Sequence, residues 1–489
     1  MKLLKVLTTY LRVGLTTTLN VVFNAVTLLQ YVWLEGRVCR GVFMNWARRF
    51  RYRPPTFAQP TTEEEIVDRI GKSERLRVFG SGHSFNNGVV SNDTLVSLDK
   101  YSGLIKREDL GEKQIAVKGG TRVRKVVELL LDKGLAFKAL PSHDAQSIAG
   151  ILSTDVHGTG KIHGTKQETW GFVSESVVRL KLIDGKGEIH ECEPSDDLFK
   201  AAIGGVGAVG IITEVVLQGV DRFNVEQKVQ IRDISFDKET DKEAFDQLVQ
   251  ENLDEYDHFS LYLFPFADKC QVNTWKRTDK EQTRLGDLRE FVKISFDALV
   301  AAWAGNFLAY AGLLPRGARF AYILERGSNL VLESNKAFNR TIYHLHQELE
   351  FTVPFEDTFE ACRRFIKLYE KLYKESYPPG LPYTLFEVRF TPEHDRTLIG
   401  PGRGRRSTWI DLVCNDSYGF EKYYSAAREE IKKIEARPHL GKFCEGFGKA
   451  DLEKLHGDNF TKFLNLVEKH DPKGKFSNKF TRRLFGNGE

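Results

Sequence analysis

The sequence predicts an α+β protein of two domains behind an apolar N-terminal helix. Three observations carry this. Between Arg75 and Leu217, short β-rich runs alternate with helical patterns and are divided by glycines. From about residue 219 the texture changes to long charged segments, helices and a few strands. Ahead of both, Val13 to Leu34 carries no charged residue. The resulting division is a helix and basic linker over 1–50, a first domain over 51–218, a second over 219–436 and a terminal segment over 437–489.

The chain has 489 residues, 41% hydrophobic and 28% charged, which is ample for two or three cores. A net charge of +4 is too small to argue for a nucleic-acid partner. The six cysteines are scattered, with no C-x-x-C spacing, and read as buried free thiols.

Within Val13–Leu34, Thr16, Asn20, Asn24 and Thr27 recur at helical spacing on one side, and Val22, Phe23, Val26, Leu29 and Trp33 fill the rest. A spanning anchor, an interfacial amphipathic helix and a core helix all fit this pattern. If the segment spans, the six arginines from Arg37 to Arg53 outweigh Lys2, Lys5 and Arg12 and place the body on the cytoplasmic side. Pro54-Pro55 marks a boundary. Thr61-Thr62-Glu63-Glu64-Glu65 opens a helix, with Thr as cap and acids at the positive dipole end. Strands follow at Arg75–Phe79, Thr94–Leu98 and Gln114–Val117, a helix at Val126–Lys133, and strands at Val177–Ile183 and Gly210–Leu217. In the second domain, Phe259–Phe264 and Leu385–Thr391 read as strands, and Ser295–Leu314 as a buried or membrane-facing helix.

Three segments can carry chemistry. In Gly80-Ser81-Gly82-His83-Ser84 a strand runs into a Gly-x-Gly turn whose N–H groups could cradle a diphosphate. Ser147 to Gly160 is rich in small residues and ends His157-Gly158-Thr159-Gly160. Gly204 to Ile212 sets four glycines among β-branched residues, a pattern that lets backbone pack on a flat ligand. Each alone reads equally well as a loop; their order within one domain does not. Later, Glu387 and Arg389 share one face of a strand while Phe386, Val388 and Phe390 take the other. On spacing alone that pair is either a surface salt bridge or part of a site. His344-Leu345-His346 lacks acid or Cys partners in a metal-site pattern, and no Ser-His-Asp arrangement or Walker loop is evident.

Taken together, these motifs resemble the vanillyl-alcohol-oxidase superfamily of flavoproteins. Phe386 to Thr391 and Arg437-Pro438-His439-Leu440-Gly441-Lys442 narrow the resemblance to the aldonolactone oxidases and their alditol-oxidase relatives, over about residues 43–488. The resemblance implies a two-domain FAD-linked oxidase fold, an FAD domain plus a cap over the isoalloxazine. It implies FAD bound covalently through His83, with Gly80, Ser81, Gly82 and Ser84 on the diphosphate. Ser153, His157, Gly158, Thr159 and Gly160 would be further cofactor contacts, the last four beside the isoalloxazine, and Gly210 and Ile211 would lie near the adenosine. It implies hydride transfer from a CH–OH carbon of an aldonolactone or polyol to flavin N5. Arg389 and Lys442 would stabilise charge, and Glu387 would orient the substrate or accept its proton. Oxygen is the expected acceptor; a same-fold dehydrogenase using a cytochrome or quinone, and a non-catalytic membrane-attached flavin protein, are the alternatives. Two departures stand out: Leu440 replaces the usual Trp, and Asp155 replaces a usual Gly, where a carboxylate facing the flavin would alter its reactivity.

Overall fold

The computed structural model describes residues 35–162, 169–300, 304–321, 328–339, 345–376, 381–414 and 419–486, besides Leu11 and Thr18. The expected apolar helix over 13–34 therefore lies, apart from Thr18, outside the described residues. Among those described, no helix is long and apolar enough to cross a membrane.

The first domain holds two small sheets. Thr56–Ala58, Thr94–Ser97 and Leu76–Phe79 form a parallel three-stranded sheet with Thr94–Ser97 in the centre. The helix Glu63–Lys72 makes the crossover; Thr62 caps it, its hydroxyl accepting from Glu65 N at 3.2 Å. Ile66 and Ile70 bury one stripe of this helix against Leu76 and Val96. The second sheet is antiparallel, in the order Ile189–Cys192, Val177–Ile183, Ile211–Gln218, Gln114–Lys118, Leu104–Ile105. The helices Val123–Leu131 and Ile148–Ser153 bury their apolar faces in the same core.

The second domain is an eight-stranded antiparallel sheet. Its order is Asn329–Glu333, Asn224–Asp233, Lys269–Thr278, His258–Leu263, Thr384–Thr391, Ser407–Cys414, Gln347–Pro354, Arg437–Pro438. Strand alternation gives it two unlike faces. Phe386, Val388, Phe390, Ile410, Leu412, Leu349 and Phe351 form a buried apolar face with the helices Asp241–Glu255, Thr358–Ser376 and Phe420–Lys433. The other face is polar. In register across five strands it carries Gln271, Tyr262, Glu387, Asp411 and Glu350 as one row.

Two expectations need correction. The stretch Ser295–Leu314 is not one helix: Gly286–Val300 covers its start, and a turn at Ala311 to Leu313 separates Asn306–Tyr310 from Leu314–Ala321. Arg37 to Tyr52, expected as a basic linker, forms a three-stranded antiparallel sheet. That sheet is docked on the His83 loop, through Gly36 N to Ser81 O at 2.6 Å and Trp46 N to Gly82 O at 2.8 Å. All six cysteines are free, five of them buried and Cys39 exposed.

Candidate active site

A cleft with about 1590 Å³ of empty space, its open mouth included, runs between the first domain and the polar face of the large sheet. The His83 loop forms one wall because its parent strand, Leu76–Phe79, ends there. Two glycines are required by their neighbours. A Cβ on Gly80 would sit 2.0 Å from Ser147 Oγ. Gly82 has φ +66 and would place its Cβ 2.8 Å from Gly36 Cα. The Trp46 indole stacks on His83 at 5.1 Å, and the His143 ring meets His83 edge-on at 4.1 Å.

The opposite wall comes from the terminal segment. Arg437–Pro438 pairs with the sheet edge, so that His439 N donates to Glu350 O and Phe443 N to Glu348 O. The turn between them presents Leu440, Gly441 and Lys442 to the cleft. It is stitched to the His83 loop by Phe85 N to Gly441 O at 3.0 Å and by Asn86 Nδ2 to Leu440 O at 2.6 Å. At the far end Arg77, fully buried, donates to Gly88 O, Phe476 O and Val206 O, each at 2.7 Å. Three loops of the cleft thus hang from one guanidinium, whose pKa burial lowers to about 10.

The polar face supplies the charged centre. Arg389 makes a two-pronged bond to Glu387, Nε to Oε1 at 2.8 Å and Nη2 to Oε2 at 2.5 Å, and Nη2 also reaches Ser142 Oγ at 3.2 Å. Lys442 Nζ donates to Glu348 and lies 3.4 Å from Asp411 and 3.8 Å from Glu350. Burial raises the Glu348 and Glu350 carboxyls, but Lys442 and a histidine beside each outweigh it and hold both below the usual range. Asp411 goes the other way: burial and the charges of Glu348 and Glu350 push its pKa well up. The same carboxylates overcome burial at Lys442 and hold its ammonium charged. His157 sits between two acceptors, Gly158 O at 2.7 Å and Glu350 Oε1 at 3.1 Å, and stacks on Trp409 at 3.6 Å. Satisfying both requires two protons on the His157–Glu350 pair.

Of the residues singled out by sequence, Gly80, Ser81, Gly82, His83, Ser84, Ser153, His157, Gly210, Ile211, Arg389 and Lys442 all line the cleft. Glu387 does not; it meets the cleft through Arg389. Gly158, Thr159 and Gly160 also stand outside the lining. Thr159 and Gly160 bind the large sheet instead: the Thr159 hydroxyl donates to Phe259 O and accepts from Phe390 N, and Gly160 N donates to Phe390 O, while Gly158 N donates to Gly171 O. Asp155 turns away. With φ +52 it points beneath the cleft floor, 3.4 Å from Ser174 Oγ and 3.2 Å from His394 Nε2, while Thr154 and Val156 on either side line the cleft. The Asp155 carboxylate is therefore not part of the cleft lining. Sequence reading missed Glu348, Glu350, Asp411, Ser142 and Gln146.

The residues present fit FAD. Among the described residues, the backbone N–H groups of Ser81, Gly82 and Ser84, all residues of the cleft lining, donate to no protein acceptor, which leaves them for a diphosphate. Both ring nitrogens of His143 and Gln146 Oε1 are buried in the cleft wall with no hydrogen-bond partner among the described residues. Residues 54–193 match a family described as the FAD binding domain. The fold is similar to that of a cholesterol oxidase from Brevibacterium sterolicum, with a TM-score of 0.68 at 13% identity over 91% of this chain and 97% of that one. Fold and cleft together define an FAD-dependent oxidoreductase with a separate cap.

The cap assigns it further. Residues 215–484, just over half of the chain, match the family described as D-arabinono-1,4-lactone oxidase. The L-gulono-1,4-lactone dehydrogenase of Mycobacterium tuberculosis is 27% identical over 91% of this chain and 99% of its own length. The L-gulonolactone oxidase of Bos taurus is also 27% identical, over the same shares. The chain belongs to the D-arabinono-1,4-lactone oxidase family.

Proposed function

We propose that this chain oxidises a CH–OH group of an aldonolactone of the L-gulono or D-arabinono type, or of a related polyol. The observation that carries the reading is the meeting of Arg389, Ser142 and Lys442 in one cleft with the His83 loop. FAD, tethered through His83, supplies the two-electron acceptor when bound. Arg389 commits Nε and Nη2 to Glu387 and Ser142, leaving Nη1 to donate to a substrate hydroxyl or lactone oxygen. Glu387 acts through Arg389, fixing the plane of the guanidinium. Lys442 places an obligatory positive charge in the cleft, where it stabilises negative charge developing during the reaction. The hydrogen-bonded His157–Glu350 pair forms the cleft wall beside Lys442.

Turnover of L-gulono- and D-arabinono-1,4-lactone by the flavin-loaded protein tests this; indifference to both lactones and to alditols would overturn it. The tether is tested by acid precipitation: flavin colour should stay with the polypeptide, and His83→Ala should release it.

Oxygen is the acceptor we propose, with release of hydrogen peroxide. A relative named as a dehydrogenase, as similar as the one named as an oxidase, favours a second reading in which a cytochrome or quinone takes the electrons. Peroxide formed in air at the rate of lactone loss separates the two. We also propose that residues 13–34 attach the protein to a membrane, with the body on the cytoplasmic side. Deletion of residues 1–34 should then free the protein from the membrane fraction; sedimentation with membranes after deletion would contradict it.

A further inference from the structure

Outside the cleft, two imidazoles converge on one buried carboxylate. Asp184 begins the turn between the strands Val177–Ile183 and Ile189–Cys192 and is wholly inaccessible. Its Oδ1 is used locally, accepting from Lys186 N at 2.9 Å and Glu188 N at 3.0 Å. Its Oδ2 faces His190 Nε2 at 2.9 Å and His470 Nδ1 at 3.2 Å. His190 comes from the hairpin's second strand. His470 ends the helix Asp458–His470, nearly three hundred residues away in sequence. The two rings stand edge to face at 4.9 Å, and the three donor atoms lie within 4.8 Å of one another. Glu188 adds a carboxylate oxygen 3.9 Å from His190 Nε2.

We propose that Asp184, His190 and His470 form a binding site for a divalent transition-metal ion of the zinc class, with Glu188 or water in the fourth position. The donor set is two imidazoles with one or two carboxylates, which suits zinc rather than magnesium or calcium. The spacing agrees with it. Ligands at about 2.0–2.2 Å from a tetrahedral zinc lie roughly 3.3–3.6 Å from one another. Each imidazole nitrogen, now 2.9 and 3.2 Å from Asp184 Oδ2, therefore need move only tenths of an ångström from that oxygen, while the two nitrogens, within 4.8 Å of each other, close onto the ion. The carboxylate is already oriented by two backbone N–H groups, which is how ligating carboxylates are ordinarily held. One cation opposes the site: Lys186 Nζ lies 3.7 Å from Asp184 Oδ2 and is itself paired with Glu188 at 2.8 Å. Metal entry releases Glu188 from Lys186 and turns it inward.

The position gives the site a consequence. Gly185 N donates to His470 O at 2.9 Å, and Asp471, the next residue, accepts from Lys475 N and Phe476 N at 2.8 and 2.7 Å. Phe476 lines the cofactor cleft, and its carbonyl accepts from Arg77. A metal here fastens the hairpin of the first domain to the terminal segment that closes the cleft. The site is independent of the substrate and of the redox chemistry.

The test uses full-length, tag-free protein stripped with a chelator and titrated with Zn²⁺ alone. We expect one Zn²⁺ per chain by calorimetry and a raised unfolding temperature, with no comparable rise from Mg²⁺. His190→Gln, at a half-exposed position on an edge strand, should weaken binding by at least about tenfold while keeping the flavin content of the parent. Lys186→Met should tighten it. Absence of zinc uptake, or uptake unchanged in both His190→Gln and Asp184→Asn, would overturn the proposal, the latter because the ion then sits elsewhere.

Discussion

Lys442 and Arg389 concentrate the chemistry at the residue scale. Lys442 is enclosed by Glu348, Glu350 and Asp411, so removing it strands buried carboxylates. Lys442→Met should lower kcat by about 10²–10³-fold and cost about 3–5 kcal/mol of stability. Adding Glu348→Gln should recover part of the stability, read by urea unfolding, and none of the activity. Arg389→Lys keeps the charge but loses the two-pronged geometry. It should therefore raise KM and lower kcat together, and a double-mutant cycle with Glu387→Gln should show strong coupling. Additive effects would place Glu387 outside the function. The Glu387–Arg389 face was legible because polar residues alternated with Phe and Val. Glu348 and Glu350, alternating with Leu349 and Phe351, carry the same signal. They were missed because only register reveals that Glu350 sits in one row with Asp411 and Glu387, with Glu348 two residues along the same face.

At the scale of elements, strands bounded by glycine and helices opened by Thr were readable from sequence, often to within a residue or two. What sequence could not supply was which loops meet. The Thr159 hydroxyl joins two strands of the large sheet to the floor of the first domain, through Phe259 O and Phe390 N. Thr159→Val keeps the shape and removes both bonds, so it should cost about 1–3 kcal/mol, measured by denaturant unfolding, with a smaller effect on the fold of either sheet. The fragment Ser295 to Leu314 misled for a related reason. Apolar composition does not report the turn at Ala311 to Leu313 that divides it. The expected linker Arg37 to Tyr52 likewise looked featureless because its strands are short, and its partner, the His83 loop, is reached only in three dimensions.

At the scale of the molecule, the terminal segment is what completes the site, closing a cleft that the first domain opens and the cap covers. Histidines buried in the cleft wall and in the large sheet make stability depend on pH. Burial lowers His143 to about 3 and His258 and His439 to about 4, all from 6.5. Each is depressed in the folded state, so its contribution is complete above pH 6.5 and is lost as pH falls toward 4. Near about pH 5 each group should remove roughly 1–2 kcal/mol, and the unfolding temperature should fall by several degrees from its neutral value. His439→Gln should flatten that dependence. The change of texture near residue 219 pointed to two domains, whereas their roles as flavin domain and cap, and the path by which residues 437–486 return to the first domain, were legible only by likeness to a known family. The central claim is that this cleft oxidises an aldonolactone through FAD. The most direct measurement is anaerobic mixing of flavin-loaded protein with one equivalent of L-gulono- or D-arabinono-1,4-lactone while following the visible flavin absorbance. Loss of the oxidised-flavin band with the parent protein, and its persistence in Arg389→Lys on the same timescale, is the predicted result; a band unchanged by either lactone in the parent protein would contradict the account.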